Sequence, residues 1–276
     1  MLKIDTHQHF WNYDALKHAW INDEMAVLKR DFLPQDLSPL LQNANINACI
    51  AVQADESEAE NQFLLTLAKE HPFINGIIAW IDFLESDISK SLDNYTQYKD
   101  IKGFRYILQD KKERDLMLIK PFKNNIALMG AYDFVYEILI HSDQLIYANQ
   151  LVSAFPNQIF VLDHLAKPKI KSKEIKDWEK DIAELAKNEN VYCKLSGMVT
   201  EADWINWDYK DFEPYLDIAF NAFGAERLMF GSDWPVCNLA ADYQHTTQIL
   251  EKYTTSLTKT ESENFWAANA IKCYHL

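Results

Sequence analysis

The sequence predicts a single-domain α/β protein built as a (β/α)8 barrel. Three observations carry that reading. Eight short apolar runs rich in Ile, Val, Phe and Leu recur along the chain, and amphipathic stretches at helical spacing separate most of them. Near-continuous apolar strands alternating with helices imply parallel pairing with both sheet faces covered. The length of 276 residues matches the roughly 250 that such a barrel takes. No low-complexity linker or shift of composition divides the chain, so residues 1–276 form one domain.

The opening run, "KIDTHQHFW" over residues 3–11, places Asp5, His7 and His9 two apart, and strand alternation would put all three on one face. Residues 11–40 are Trp-containing, irregular and too long for a simple loop, and are expected to cover the site. Strands follow at 47–53, 74–82, 101–107, 134–140, 159–163, 191–195 and 227–231. Helices are expected at 58–71, closed by Pro72, at 143–156, closed by Pro156, at 174–190, and at 212–224, ended by Gly224. The last helix, "ESENFWAANAIKCYHL", is expected to pack outside the barrel or close one end of it, burying Phe265, Trp266 and Ile271.

Composition narrows the function. Hydrophobic residues make up 48% and aromatics 13%, enough for a large core. A formal net charge of -14 argues against nucleic acid and anionic membrane as partners, since both require Lys and Arg to neutralise phosphates. The basic residues at 167–180 alternate with Glu and Asp and read as a solvated helical face. The four cysteines, Cys49, Cys193, Cys237 and Cys273, form no C-x-x-C and read as reduced. With no basic-then-apolar leader and no run of about 18 apolar residues, a cytoplasmic location is expected.

Barrel chemistry sits at the carboxyl ends of strands. Those ends carry His7 and His9, Gln53, Trp80 and Asp82, Arg105, His141, His164, Lys194 and Ser196, and Asp233. An H-x-H pair alone is a weak signal; convergence of polar groups at every strand end is a stronger one. His164 follows an apolar run, where a merely structural His would need a buried partner for its ring nitrogens. Asp233 follows a strand and a Gly-Ser pair, which brings a carboxylate to the barrel mouth; its structural alternative is an Asp capping the next turn. Arg105 alternates with apolar neighbours, points inward and therefore needs a substrate oxygen or an internal carboxylate. His141 precedes Ser142 and Asp143, which read as a helix cap, and so sits between a site role and plain exposure. His18, His71, His245 and His275 are assigned no role.

Taken together, "DTHQHFW", "VQAD", "KGFRYILQ", "VLDHLAKP", "CKLSGMVTEADW" and "RLMFGSDWPV" resemble the amidohydrolase superfamily, in its branch of sugar-lactone hydrolases. The matching blocks run from residue 3 to about 243. The resemblance implies a distorted (β/α)8 barrel and the hydrolysis of an aldono-1,4- or 1,5-lactone to its aldonic acid. In that reading Asp233 takes a proton from the attacking water, and His7, His9 and His164 face the lactone carbonyl. They polarise it directly or through one divalent ion such as Zn²⁺ held by His7, His9, His164 and Asp233. The carboxylated lysine frequent in the superfamily at the end of the fourth strand is absent, where Arg105 stands instead, which argues against a bridged pair of metals.

A small polyhydroxylated lactone is thus the expected partner, and self-association into a homo-oligomer is left open. Arg105, Gln53, Trp80, Lys194 and His141 are expected to bind substrate. Ser196 and Thr200 offer hydroxyl contacts, and Trp11, Trp204 and Trp234 offer apolar faces, against the general tendency of aromatics to be core. A metal-dependent decarboxylase of unsaturated or aromatic carboxylates is the alternative enzyme with the same H-x-H, His and Asp. A deoxyribonuclease is opposed by the charge, and a lactone-binding sensor by the presence of both His164 and Asp233.

Overall fold

The computed structural model describes residues 1–276. Eight parallel strands pair in chain order: β1 (Ile4–Gln8), β2 (Ala48–Val52), β3 (Ile74–Ala79), β4 (Ile101–Ile107), β5 (Val135–Leu139), β6 (Phe160–Leu162), β7 (Val191–Leu195) and β8 (Leu228–Phe230). The sheet is nearly closed. Across the seam, residues just beyond β8 bond to the end of β1, with Asp233 N donating to His7 O at 2.8 Å and His9 N to Trp234 O at 2.7 Å.

Around the strands run α1 (Pro34–Asn43), α2 (Glu58–Glu70), α3 (Ser89–Tyr95), α4 (Lys120–Met129), α5 (Leu145–Ala154), α6 (Lys176–Leu185), the short α7 (Met198–Glu201), α8 (Tyr209–Phe223) and α9 (Tyr243–Thr254). The chain ends in α10 (Lys259–Glu263), a π-helical turn at Asn264–Ala268 and α11 (Asn269–Tyr274). No helix is long and apolar enough to cross a membrane.

Why the strands read as unbroken apolar runs is clear from the two cores they separate. In β2, Cys49 and Ala51 join the large cluster under the helices, while Ala48, Ile50 and Val52 join a second cluster with Ile4, Ile78, Val161 and Met229. That inner cluster includes Ala267, Ala270, Cys273 and Tyr274, so the C-terminal helix plugs the end of the barrel opposite the site. All four cysteines are buried and unpaired.

The structure departs from the sequence reading in four places. Ile271 is 38% exposed, because α11 buries its Ala270, Cys273 and Tyr274 face instead. The segment 11–40 is not irregular throughout, since Pro34 starts α1, with Asp36 accepting the Leu33 backbone N–H. Residues 167–175 are not helical; α6 begins only at Lys176. Asp5 does not share a face with His7: pairing slips between Asp5 and Gln8, and Asp5 turns to accept the Tyr243 hydroxyl at 2.9 Å and the Ser232 N–H at 2.9 Å.

Candidate active site

Beneath the open end of the barrel lies a buried ionic network. Glu137 on β5 and Lys194 on β7 are 2.6 Å apart, and the Lys194 ammonium is also 3.3 Å from Asp163, just after β6. Asp163 accepts from Arg105 at 3.0 Å and faces His7 Nδ1 at 3.2 Å, and Tyr274 of α11 donates to Glu137 at 2.7 Å. Charges this deep persist only when paired. Burial pushes the Glu137 carboxyl up to about 7, against the pull of Lys194. Burial would also raise Asp163, but Lys194, His7 and Arg105 outweigh it and hold that carboxyl well below the usual range.

On this network rest His7, His9, His164 and Asp233. Oδ1 of Asp233 lies 3.9 Å from His7 Nε2, 3.5 Å from His9 Nε2 and 3.9 Å from His164 Nε2. The His7 and His164 rings are 4.3 Å apart. Burial, assisted by Lys194, pushes His7 well below the ordinary imidazole value, and burial does the same to His164. Asp233 would also rise on burial, but His164 and the hydrogen bond from His9 hold it below the ordinary carboxylate value. The cluster therefore holds neutral His7 and His164 beside an ionised carboxylate.

Each ring is oriented by its other nitrogen. His9 Nδ1 donates to Val52 O at 2.7 Å, and the carboxylate of Asp163 draws the His7 proton to Nδ1. Neutral His7 thus leaves its Nε2 to accept from the Arg105 guanidinium at 3.3 Å, and His9 turns its Nε2 toward Asp233. His164 differs: its Nδ1 partner is the Ser196 hydroxyl at 2.8 Å, which donates as readily as it accepts, so Nε2 can carry a proton. Two glycines make room. A Cβ on Gly197, whose φ is +63°, would meet His164 Nδ1 at 2.7 Å, and one on Gly231 would meet His7 Cβ at 2.7 Å.

The cavity above this cluster has a volume of about 420 Å³ and is walled by Trp11, Trp20, Met25 and Trp204 with Arg105, Asp110, Lys167, Thr200 and Glu201, and by His9, His164 and Asp233 at its base. The segment after β1 does cover the site, through Trp11, Trp20 and Met25.

Several residues expected at the substrate lie elsewhere. Lys194 is fully buried, its charge spent on Glu137 and Asp163. Gln53 is fully buried beside Arg105, whose guanidinium donates to the Gln53 carbonyl at 2.5 Å. Trp80 and Trp234 do not line the cavity, and Ser196 sits behind His164. His141 stands half-exposed at the rim, 3.8 Å from Asp110. Arg105 has the internal carboxylate that the sequence called for, Asp163, and also lines the cavity.

Sequence reasoning missed Glu137, Asp163, Lys167 and Glu201. Glu137 interrupts the run "FVYEILI" at an inward position, and Asp163 directly precedes His164 in "VLDH"; both signals were available.

For a metal, His7, His164 and Asp233 offer one ligand atom each within 4.8 Å of one another. His9 is not part of that set. The donors suit a divalent ion: two imidazoles with low proton affinity and an ionised carboxylate, with Asp163 and Ser196 fixing the far ring nitrogens. A second set, His7, Glu137 and Asp163, encloses the Lys194 ammonium, so a built-in cation stands among those donors.

A fold of eight parallel strands with this histidine and aspartate cluster at its mouth defines a class. A family model for amidohydrolases matches residues 4–276, and the chain belongs to that family. It is 38% identical over 286 residues to an L-fucono-1,5-lactonase of Burkholderia multivorans, covering 100% of this chain and 96% of the relative. It is 33% identical to an L-fucono-1,5-lactonase of Burkholderia ambifaria, over 87% of this chain and 83% of the relative. Among solved structures, an amidohydrolase from Burkholderia multivorans with bound Zn superposes with a TM-score of 0.96 at 37% identity, covering 100% of both chains.

Proposed function

We propose that the protein hydrolyses a sugar lactone to its aldonic acid. The observation that carries this reading is the carboxylate of Asp233 poised among three imidazoles at the base of a cavity with polar and aromatic walls. Lactonase relatives at 38% and 33% identity support it.

Ester hydrolysis needs a base for water and a positive environment for the tetrahedral oxyanion. Asp233, ionised at neutral pH, takes the proton from a water held between its carboxylate and the ring nitrogens around it. His164 donates its Nε2 proton toward the carbonyl oxygen while Ser196 secures the ring behind it. His7 and His9 flank the same reacting centre, His9 aligning Asp233 at 3.5 Å. Arg105, fixed by Asp163, supplies permanent positive charge at the cavity wall. The proton gained by Asp233 then passes to the ring oxygen that leaves as the second product hydroxyl, which closes the cycle. A divalent ion bound by His7, His164 and Asp233 would add Lewis acidity at the carbonyl.

The test is a panel of 1,4- and 1,5-sugar lactones, followed by acid release with a pH indicator, on protein before and after chelation. Turnover of one or a few lactones supports the reading, and its survival of chelation separates the residues' own contribution from that of a metal. No turnover of any lactone in either state, or after adding Zn²⁺ or Mn²⁺, overturns it.

A further inference from the structure

Immediately after β6 the backbone turns left-handed for four residues in succession. His164, Leu165, Ala166 and Lys167 have φ of 52°, 56°, 57° and 50°, and none is glycine. For residues with a Cβ this region is strained, and it is visited singly rather than in runs. The turn closes with Lys167 N donating to His164 O at 2.8 Å. Leu165 and Ala166 are fully buried, and Trp178 of α6 donates to Leu165 O at 2.7 Å, which anchors the middle of the turn. Strain of this kind survives only where surrounding structure enforces it, and it points to a task at the site.

The turn delivers both of its ends to one place. His164 and Lys167 line the same cavity. Arg105, the other Lys or Arg on that wall, is committed to Asp163 and to the Gln53 carbonyl. Lys167 makes no hydrogen bond through its ammonium; the nearest carboxylate oxygen, on Glu201, is 3.6 Å away. Glu201 closes α7 and lines the cavity too, with Thr200 beside it. A donor and an acceptor at that separation, both only partly exposed, match neighbouring hydroxyls of a polyol, one accepting from the ammonium and the other donating to the carboxylate.

We propose that Lys167 and Glu201 are the specificity-determining pair of this site, recognising two adjacent hydroxyls of the lactone, and that the left-handed turn exists to carry Lys167 to them. The inference rests on the lactonase reading above and adds which part of the substrate the protein selects.

The experiment measures kcat/KM for the best sugar lactone and for its single-deoxy analogues, with melting temperatures, in wild type and in Lys167→Met, Lys167→Arg, Lys167→Gly and Glu201→Gln. Lys167→Met is expected to lower kcat/KM about tenfold or more, mostly through KM, as loss of a charged donor to a hydroxyl predicts. That penalty is expected to vanish for the one analogue lacking the bonded hydroxyl, and Lys167→Arg is expected to restore part of it. Lys167→Gly is expected to lose the same kcat/KM while melting no lower than wild type, since glycine relieves the strain.

A Lys167→Met enzyme within twofold of wild type on every lactone overturns the proposal. So does an equal penalty on all analogues, or a Lys167→Gly protein that melts below wild type as its activity falls, because Lys167 would then support the fold. Wild type inert on every sugar lactone overturns the lactonase reading itself, and that result is known before any substitution is made.

Discussion

In the proposed mechanism Asp233 is the residue on which the chemistry turns. Its Oδ1 lies within 3.9 Å of all three Nε2 nitrogens, and the other carboxylates on the cavity wall are Asp110 and Glu201. Asp233→Asn is expected to lower kcat by about 10²–10⁴-fold, the usual worth of a general base, while a lactone analogue still binds, as calorimetry would show. The sign of the pH effect follows from the direction of the shift. A carboxyl held below its ordinary value of 3.8 is ionised at all higher pH, so the acidic limb of kcat/KM should fall only below that value. A limb near pH 6 would show instead that burial dominates at Asp233. Lys194 tests the network below. Lys194→Met leaves Glu137 buried without its cation and Asp163 with Arg105 alone, and is expected to cost roughly 3–5 kcal/mol in denaturant unfolding, part of which Glu137→Leu in the same chain should recover.

Among the elements, the strands were the most legible. Residues 101–107 and 191–195 match β4 and β7 to the residue, because burial on both faces leaves an apolar run with sharp ends. Strand ends also pointed to His7, His9, Arg105, His164 and Asp233, which the structure brings together, since a barrel gathers its strand ends at one face. What the sequence hid depends on backbone detail. Alternation could not show the slip between Asp5 and Gln8 that separates Asp5 from His7. Nor could residue preferences announce the left-handed turn at 164–167, because Leu, Ala and Lys disfavour it, and so Lys167 read as a solvated surface residue. Lys194 and Gln53 were correctly placed at strand ends but one layer too high, because their carboxylate and guanidinium partners come from other strands. The loop after β7 carries its own test. Gly197→Ala, forced into a φ of +63° and against His164 Nδ1 at 2.7 Å, is expected to destabilise by about 1–3 kcal/mol and to lower kcat more than KM.

At the scale of the whole molecule, the two ends of the barrel divide the work. The C-terminal helix seals one end with Ala267, Ala270, Cys273 and Tyr274, and Tyr274 reaches through it to Glu137, so the plug and the ionic floor of the site are continuous. Trp266, fully buried against Phe230, does not line the cavity. Trp266→Ala is expected to cost about 3–5 kcal/mol of stability, read by thermal or denaturant unfolding, while the folded fraction keeps the wild-type KM. The opposite end holds the strained, charged and partly open features to which the proposed function is assigned. The net charge of -14 surrounds a site whose wall carries Arg105 and Lys167 beside its carboxylates, an arrangement suited to a neutral lactone.

Whether the carboxylate of Asp233 activates water against a sugar lactone is read by comparing kcat/KM of wild type and Asp233→Asn on the lactone that the panel identifies. A loss of about 10²–10⁴-fold, with the folded state and lactone binding retained, is the result predicted. Equal turnover by the two proteins would contradict the account and move the search for the base to another residue at the barrel mouth.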